Sequence, residues 1–268
     1  MGGKIATQFL VLATAFFGLW LALSQINFIT PENLDQFSKK SEKKLSQLIL
    51  EVIQKNDRHL KSDKITAVID SIGRRVCEVN HIIYDSIRIH VIINSDINAF
   101  ALPDRHMVIY TGLINQSKNP EEIAGVMAHE IGHMEKNHVM KKLGKEIGLT
   151  MLFAVIDGGK HFEIIHEMTR LLSSTAFDRT QESEADQFAT EALAHADIDP
   201  ENLANFLFRI SRKDHLPEEL VWLSTHPNSE DRAAEIIKKK KDINFTARPV
   251  LNTPWDKVKE AVREDSEK

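Results

Sequence analysis

Asn119-Pro120-Glu121-Glu122-Ile123-Ala124-Gly125-Val126-Met127-Ala128-His129-Glu130-Ile131-Gly132-His133 is the stretch on which the fold turns. An asparagine cap, a proline at the first helical position and two acids in the first turn start a helix. The pattern predicts that it runs to about Lys142. Inside it stands the H-E-x-x-H pattern. Two histidines four residues apart differ by about 40° around a helix axis, so both rings project from one face and share a metal ion at about 2.0 to 2.1 Å. Glu130 swings toward the open side of that ion, where it accepts a proton from water instead of ligating. Five residues of this kind also arise by chance on a solvated helix, so a third ligand has to be found.

A second block supplies it: Arg179-Thr180-Gln181-Glu182-Ser183-Glu184-Ala185-Asp186, at the start of another helical pattern. Glu182 and Asp186 lie four apart and share a face, whereas Glu184 points about 200° away from Glu182. Helix geometry therefore selects Glu182 as the ligand that completes a His2Glu set, with Asp186 hydrogen-bonding a ligand imidazole from behind. Glu184 as the ligand is the alternative. His138 is read as a surface residue, because the metzincin spacing would need a histidine where Val139 stands.

Around these blocks the pattern is α+β and mainly helical. From Pro31 to about Asn80 apolar residues recur at three- and four-residue steps, as in packing helices. Ile87, Ile89, Val91 and Ile93 alternate as a strand, and Asn98 to Leu102 and Met107 to Tyr110 add extended runs that make a small sheet. Further helices are predicted near 161–173, 178–195, 201–212 and 229–241. The chain of 268 residues, 42 % apolar and 27 % charged, suffices for one globular domain with appendages. Its net charge of −5 and scattered lysines argue against a nucleic-acid partner. One cysteine, Cys77, excludes an internal disulfide framework and a cysteine-based zinc site, and reads as a small apolar filler in a helix.

The appendages are an uncharged apolar run from Ile5 to Leu23 and a charged end. At 1.5 Å per residue the run reaches about 28 Å, enough to anchor in a bilayer, while Ala22-Leu23-Ser24 fits a signal-peptide cut. The division expected is 1–24 as signal peptide or membrane anchor, 31–245 as the catalytic domain (packing helices 31–80, core 84–245) and 246–268 as a loosely docked tail. The location that follows is exported: membrane-anchored on the extracytoplasmic side, or periplasmic or secreted after cleavage. A second apolar stretch, Ile147 to Ile156, is too short to span a bilayer and reads as a buried or interfacial helix.

Five ordered blocks carry a resemblance: Asn98-Ala99-Phe100-Ala101-Leu102-Pro103, Tyr110-Thr111-Gly112-Leu113, the Glu121 to His133 segment, Glu182-Ser183-Glu184-Ala185-Asp186 and Thr225-His226-Pro227. Together they resemble peptidase family forty-eight of the metallo class, which takes in the HtpX, Oma and CaaX prenyl endopeptidase types, and are most similar to its exported, periplasmic-type members. The resemblance covers most of the chain. It implies a zincin-like fold, one Zn2+ per chain and endopeptidase activity on extended or unfolded proteins in membrane or envelope quality control. It assigns the third ligand to Glu182 and makes Asn98 to Leu102 an edge strand along which a peptide pairs by its main chain, with Asn98, Ala99, Phe100 and Ala101 as the substrate contacts. It also brings His226 near the metal, as an oxyanion donor or a latch on the open position, and gives Arg232 a contact in the same region. Relatives often carry two glycines after the Pro103 position, where this chain has Asp104-Arg105. A zinc-containing chaperone or assembly factor that seldom cuts is the rival reading, and a membrane-tethered interaction protein with a fortuitous motif is a third.

Overall fold

The computed structural model describes residues 31–156, 162–212 and 221–267. The apolar run from Ile5 to Leu23 lies outside them. Contacts divide the chain at Ser41. On the near side the described residues are the first turns of helix α1 (Pro31–Asn56).

The unit from Glu42 onward is built on a four-stranded mixed sheet in the order β1-β2-β4-β3, with β1 Arg58–His59, β2 Arg88–Ile93, β3 Ala99–Leu102 and β4 His106–Tyr110. β2 and β4 run parallel and the two outer pairs antiparallel. Alternation along the strands sends side chains to two cores. Val91, Met107, Ile109 and Ala99 join one core with helix α2 (Asp63–Glu78), α4 (Pro120–Glu135), α8 (Arg179–His195) and α9 (Glu201–Ser211). Ile92, Phe100, Leu102 and Val108 join the other with Leu45, Ile49 and Ile53 of α1, Val139 and Leu143 of α5 (His138–Glu146), Leu152 and Val155 of α6 (Leu149–Ile156), and Met168 and Leu172 of α7 (Phe162–Ser174). The sheet is thus covered on both faces, and β3 forms its end beside α4. Between β4 and α4, the short α3 (Thr111–Gln116) begins in close contact with the turn after β2: a Cβ on Gly112 would stand 2.1 Å from the carbonyl oxygen of Ser95. Only glycine fits there.

Three expectations need correction. The helix from Pro120 does not continue to Lys142: it stops at Glu135, and Asn137 takes φ 56°, ψ 31° before α5 starts at His138. Asparagine tolerates this left-handed conformation, which reverses the chain and ends the helix. The predicted packing-helix region is interrupted between α1 and α2 by β1, which pairs with Ile92 and Ile93. The end of the chain is not a loose tail but a helix, α12 (Trp255–Ser266), whose Trp255, Val258 and Val262 enter the first core. Trp255 Nε1 donates to Ser117 Oγ at 3.0 Å. Within the Ile147 to Ile156 stretch, Leu149–Ile156 form α6, with Leu152 and Val155 buried and Met151 about half exposed. Cys77 is buried in α2, and burial pushes its thiol up to about 12, as suits a core filler. Among the described residues no helix is long and apolar enough to cross a membrane.

The β3–β4 turn explains the departure at Asp104-Arg105. Both residues sit at positive φ, 53° and 58°, which is where glycine is easiest to accommodate. Each side chain is tied down: Arg88 Nη1 reaches Asp104 Oδ2 at 3.0 Å, and Arg105 Nη1 reaches Glu135 Oε1 at 2.7 Å at the end of α4. Arg105→Ala and Arg105→Gly both remove the ion pair, so they differ chiefly in backbone strain. Urea unfolding should find the alanine variant less stable than the glycine variant by about 1 kcal/mol or more. Equal stabilities would mean that the turn is unstrained.

Candidate metal centre

Each element delivers its side chain for a local reason. α4 starts on an Asn119 cap that accepts from the Glu122 amide, and α8 starts on a capping box in which Asp178 and Gln181 exchange bonds. The two helices cross where glycine replaces a side chain. A Cβ on Gly132 would lie 3.1 Å from both Cα and O of Ala185, so the backbones meet there with little room to spare. That approach brings Glu182 to the histidines. His226 follows the short α10 (Trp222–Thr225), and Arg232 is in α11 (Ser229–Lys240).

His129, His133, Glu182 and His226 are all buried, and one donor atom from each lies within 4.8 Å of all the others. His129 Nε2 and His133 Nε2 face one another at 3.0 Å. His226 Nδ1 stands 3.2 Å from His129 Nε2 and 2.9 Å from Glu182 Oε1, and His133 Nε2 stands 3.4 Å from the same carboxylate oxygen. Ligands bound at about 2.0 to 2.1 Å to a tetrahedral ion are separated by about 3.3 to 3.4 Å, so these spacings resemble the edges of a coordination tetrahedron. The donor chemistry, imidazoles with one carboxylate, suits zinc. Burial holds the imidazoles neutral with lone pairs available: His129 is lowered, His133 falls to about 3 and His226 to about 4. The residues fit a divalent zinc ion.

The charges around them are arranged asymmetrically. Arg232, buried, takes Asp186 in a two-pronged grip, Nε to Oδ2 at 2.7 Å and Nη2 to Oδ1 at 2.8 Å, and its Nη1 lies 2.6 Å from Glu182 Oε2. It also donates to the carbonyl of His226 at 3.2 Å. Burial alone would raise both carboxyls, but neighbouring groups outweigh it: Arg232 holds Asp186 down to about 2, and His226 followed by Arg232 holds Glu182 well below the usual carboxylate range. Asp186 Oδ1 in turn lies 3.0 Å from His129 Nδ1. Two carboxylates against one guanidinium leave excess negative charge, which a divalent cation would offset.

Glu130 is wholly buried. Its Oε2 accepts from the Ala101 amide of β3 at 2.9 Å, while Oε1, without a hydrogen-bond partner among the described residues, faces His226 Nε2, likewise unpartnered among them, at 3.4 Å. Burial first, and the neighbouring charge of Glu182 second, push this carboxyl well above its ordinary range. One oxygen is anchored and the other is free, the arrangement a proton-accepting group requires.

Other predicted residues fall into place unevenly. Phe100 stands opposite Val108 as β3 pairs with β4; just before β3 the Asn98 carbonyl takes the Tyr110 amide at 3.0 Å, and the Asn98 side chain donates to Ser173 O at 2.9 Å. Ala99 and Ala101 point their main-chain groups the other way, toward α4. Arg232 is buried and committed to two carboxylates and a carbonyl. Glu184 stays out of the donor group. His138, read as a surface residue, is fully buried, with Nδ1 at 3.0 Å from His133 Nδ1 and Nε2 at 2.9 Å from Glu184 Oε2. The break at Asn137 turns it back under the helix it follows.

Two aromatic residues went unread. Phe177 stacks on His133 with ring centroids 3.9 Å apart, and Trp222 lies over His226 at 3.9 Å. Phe177 precedes the Asp178 cap, the place of a hydrophobic staple, and Trp222 is one helical turn before His226; both signals were present but weak. Lys142 Nζ sits 4.2 Å above the Phe177 ring, and burial lowers its ammonium to about 8.

Comparison with known proteins agrees with this geometry. The sequence profile of Peptidase family M48 matches residues 60–240, which include every residue of the donor group. The Mitochondrial metalloendopeptidase OMA1 of Arabidopsis thaliana is 32 % identical over 139 residues, covering 51 % of this chain and 28 % of that protein. The Beta-barrel assembly-enhancing protease of Escherichia coli (strain K12) is 28 % identical over 186 residues, 64 % of this chain and 38 % of that protein. Metalloprotease LoiP of the same bacterium is 24 % identical over 179 residues, 65 % of this chain and 68 % of that protein. The chain therefore spans well under half the length of the first two relatives.

The crossing at Gly132 yields a test. Gly132→Val puts three carbons where even one is tight against Ala185. It should cost about 1–3 kcal/mol of stability by overpacking and, by moving α8 outward, weaken Zn2+ binding measured by chelator competition. Unchanged zinc affinity in a folded Gly132→Val protein would show that the helix approach does not set the donor group.

Proposed function

Because the chain belongs to Peptidase family M48, a family of zinc metallopeptidases, we propose that it is a zinc-dependent endopeptidase acting on extended or unfolded proteins. His129, His133 and Glu182 hold one Zn2+ per chain, and Glu130 is the general base. The observation that carries this reading is the four-donor group, closed by a carboxylate from a second helix, beside a glutamate with one free buried oxygen. Zinc supplies Lewis-acid polarisation of a carbonyl and acidifies water.

The remaining work belongs to the chain's own groups. Glu130 takes the proton of the attacking water on Oε1 and returns it to the leaving amine. The substrate backbone pairs along β3, using the outward main-chain groups of Ala99 and the carbonyl of Ala101, whose amide is held by Glu130. Asp186 accepts the Nδ1 proton of His129 and keeps that ring turned; Arg232 in turn fixes Asp186 and Glu182. His226 closes the donor group in the absence of substrate, and is near enough to donate to a tetrahedral oxyanion once a substrate lies in the cleft.

The biological setting is proposed at the same level. A role in membrane or envelope protein quality control is the reading we favour, and a relative named for enhancing beta-barrel assembly supports it. The Ile5 to Leu23 segment supports an exported protein, anchored to the membrane or released to the periplasm or medium.

Glu130→Gln keeps the shape of the side chain and removes its basicity. Cleavage of an unfolded casein substrate should fall by about 10²- to 10⁴-fold while zinc content, read by metal analysis, stays at one per chain. His129→Ala and Glu182→Ala should lose the zinc. Undiminished biological activity in Glu130→Gln would sink the peptidase reading in favour of a zinc-containing chaperone.

A further inference from the structure

His133 is served from behind by a different device than His129. An imidazole that offers Nε2 to a cation carries its proton on Nδ1, and that N–H needs an acceptor. For His129 the acceptor is the Asp186 carboxylate at 3.0 Å. For His133 the neighbour is another imidazole: His138 Nδ1, at 3.0 Å from His133 Nδ1. Two Nδ1 atoms at this distance share one proton, so one ring donates and the other accepts. The opposite nitrogen of His138 decides which. His138 Nε2 lies 2.9 Å from Glu184 Oε2, and an ionised carboxylate only accepts. His138 therefore carries its proton on Nε2, its Nδ1 accepts, and His133 donates from Nδ1. The lone pair of His133 Nε2 is left facing His129 Nε2 and Glu182 Oε1.

We infer that His138 and Glu184 are positioning residues, a relay from a half-exposed carboxylate through a buried imidazole that fixes the tautomer and the plane of His133. Phe177, stacked on the face of His133 with an interplanar angle of 26°, holds the same plane. The left-handed Asn137 makes the relay possible, because five residues further along an unbroken helix His138 would point about 140° away from His133. Glu184 therefore acts on the donor group from the outer side of α8, while Glu182 and Asp186 act from the inner side.

The relay rests on the reading of the site as a zinc centre, and the experiment separates the two. The full chain is stripped of metal and titrated with Zn2+ against a chromophoric chelator. His138→Leu removes the acceptor, and should weaken zinc binding by about 10- to 100-fold. His138→Asn places a carbonyl oxygen near the position of Nδ1, and should recover most of that loss. Long-range proton–nitrogen spectra of the zinc-loaded wild-type protein should show His138 protonated on Nε2, a readout that does not depend on how any variant folds. Zinc binding by folded His138→Leu equal to wild type, an asparagine variant no better than leucine, or a His138 proton found on Nδ1 would each overturn the relay. A wild-type chain that takes up no zinc would instead overturn the metal centre itself.

Discussion

A buried guanidinium holds this site together. Arg232 has given up nearly all contact with water, and stripping an ion of its hydration costs several kcal/mol unless it is repaid by close, well-aligned partners. Asp186 and Glu182 provide them, and the exchange fixes three things at once. α11 is tied to α8. Asp186 is oriented so that an oxygen remains for His129. Glu182 is kept ionised in a place where burial would otherwise protonate it. Removing either partner would leave a charge in the interior without compensation, which is why the clamp cannot be treated as an ornament on the donor group.

The legible part of the fold was the part encoded by local chemistry. The cap, proline and acids before Ile123 announce a helix, and two histidines four apart on it define a face whatever surrounds them. Glu182 and Asp186 were separable from Glu184 because helix periodicity is short-ranged and strict. The strands announced themselves by alternation. What failed depended on single backbone residues or on distant packing. Asn137 is an ordinary polar residue in sequence, and only its left-handed φ reveals the chain reversal that buries His138. Trp255, Val258 and Val262 carry the right spacing for a docked helix, but the surrounding lysines and acids hid the core that receives them. The roles of Phe177 and Trp222 required knowing which rings they would cover.

The edge of the sheet and the Glu130 carboxyl constrain one another. Ala101 turns its amide away from β4, and the nearest acceptor is Glu130 Oε2. A peptide adding to β3 would meet a strand whose outward amide is already engaged, so the same contact that holds the Glu130 carboxyl in place lies on the path of main-chain pairing. The tight turn that follows, with two non-glycine residues at positive φ, is secured to β2 by Arg88 and to the end of α4 by Glu135. Strand β3 is therefore tied to α4 at two places, once through Glu130 and once through Arg105. That double attachment fixes the height of the strand over the helix that carries both histidines.

One turn and a half of α8 serves the whole donor group from two sides. Residues 182 and 186 share the inner face, where one closes the donor set and the other backs His129 directly. Residue 184 faces the other way, and by periodicity alone it would have no part in the site. The reversal at Asn137 changes that, by carrying an imidazole around the end of α4 into the space between Glu184 and His133. A carboxylate too far to reach a ring nitrogen thus reaches it through a second ring. The two histidines of the motif are alike in sequence but unlike in support: one is backed by a buried carboxylate locked to an arginine, the other by a buried imidazole whose partner is half in water. The motif fixes where the rings point, and the residues behind them fix which nitrogen carries the proton.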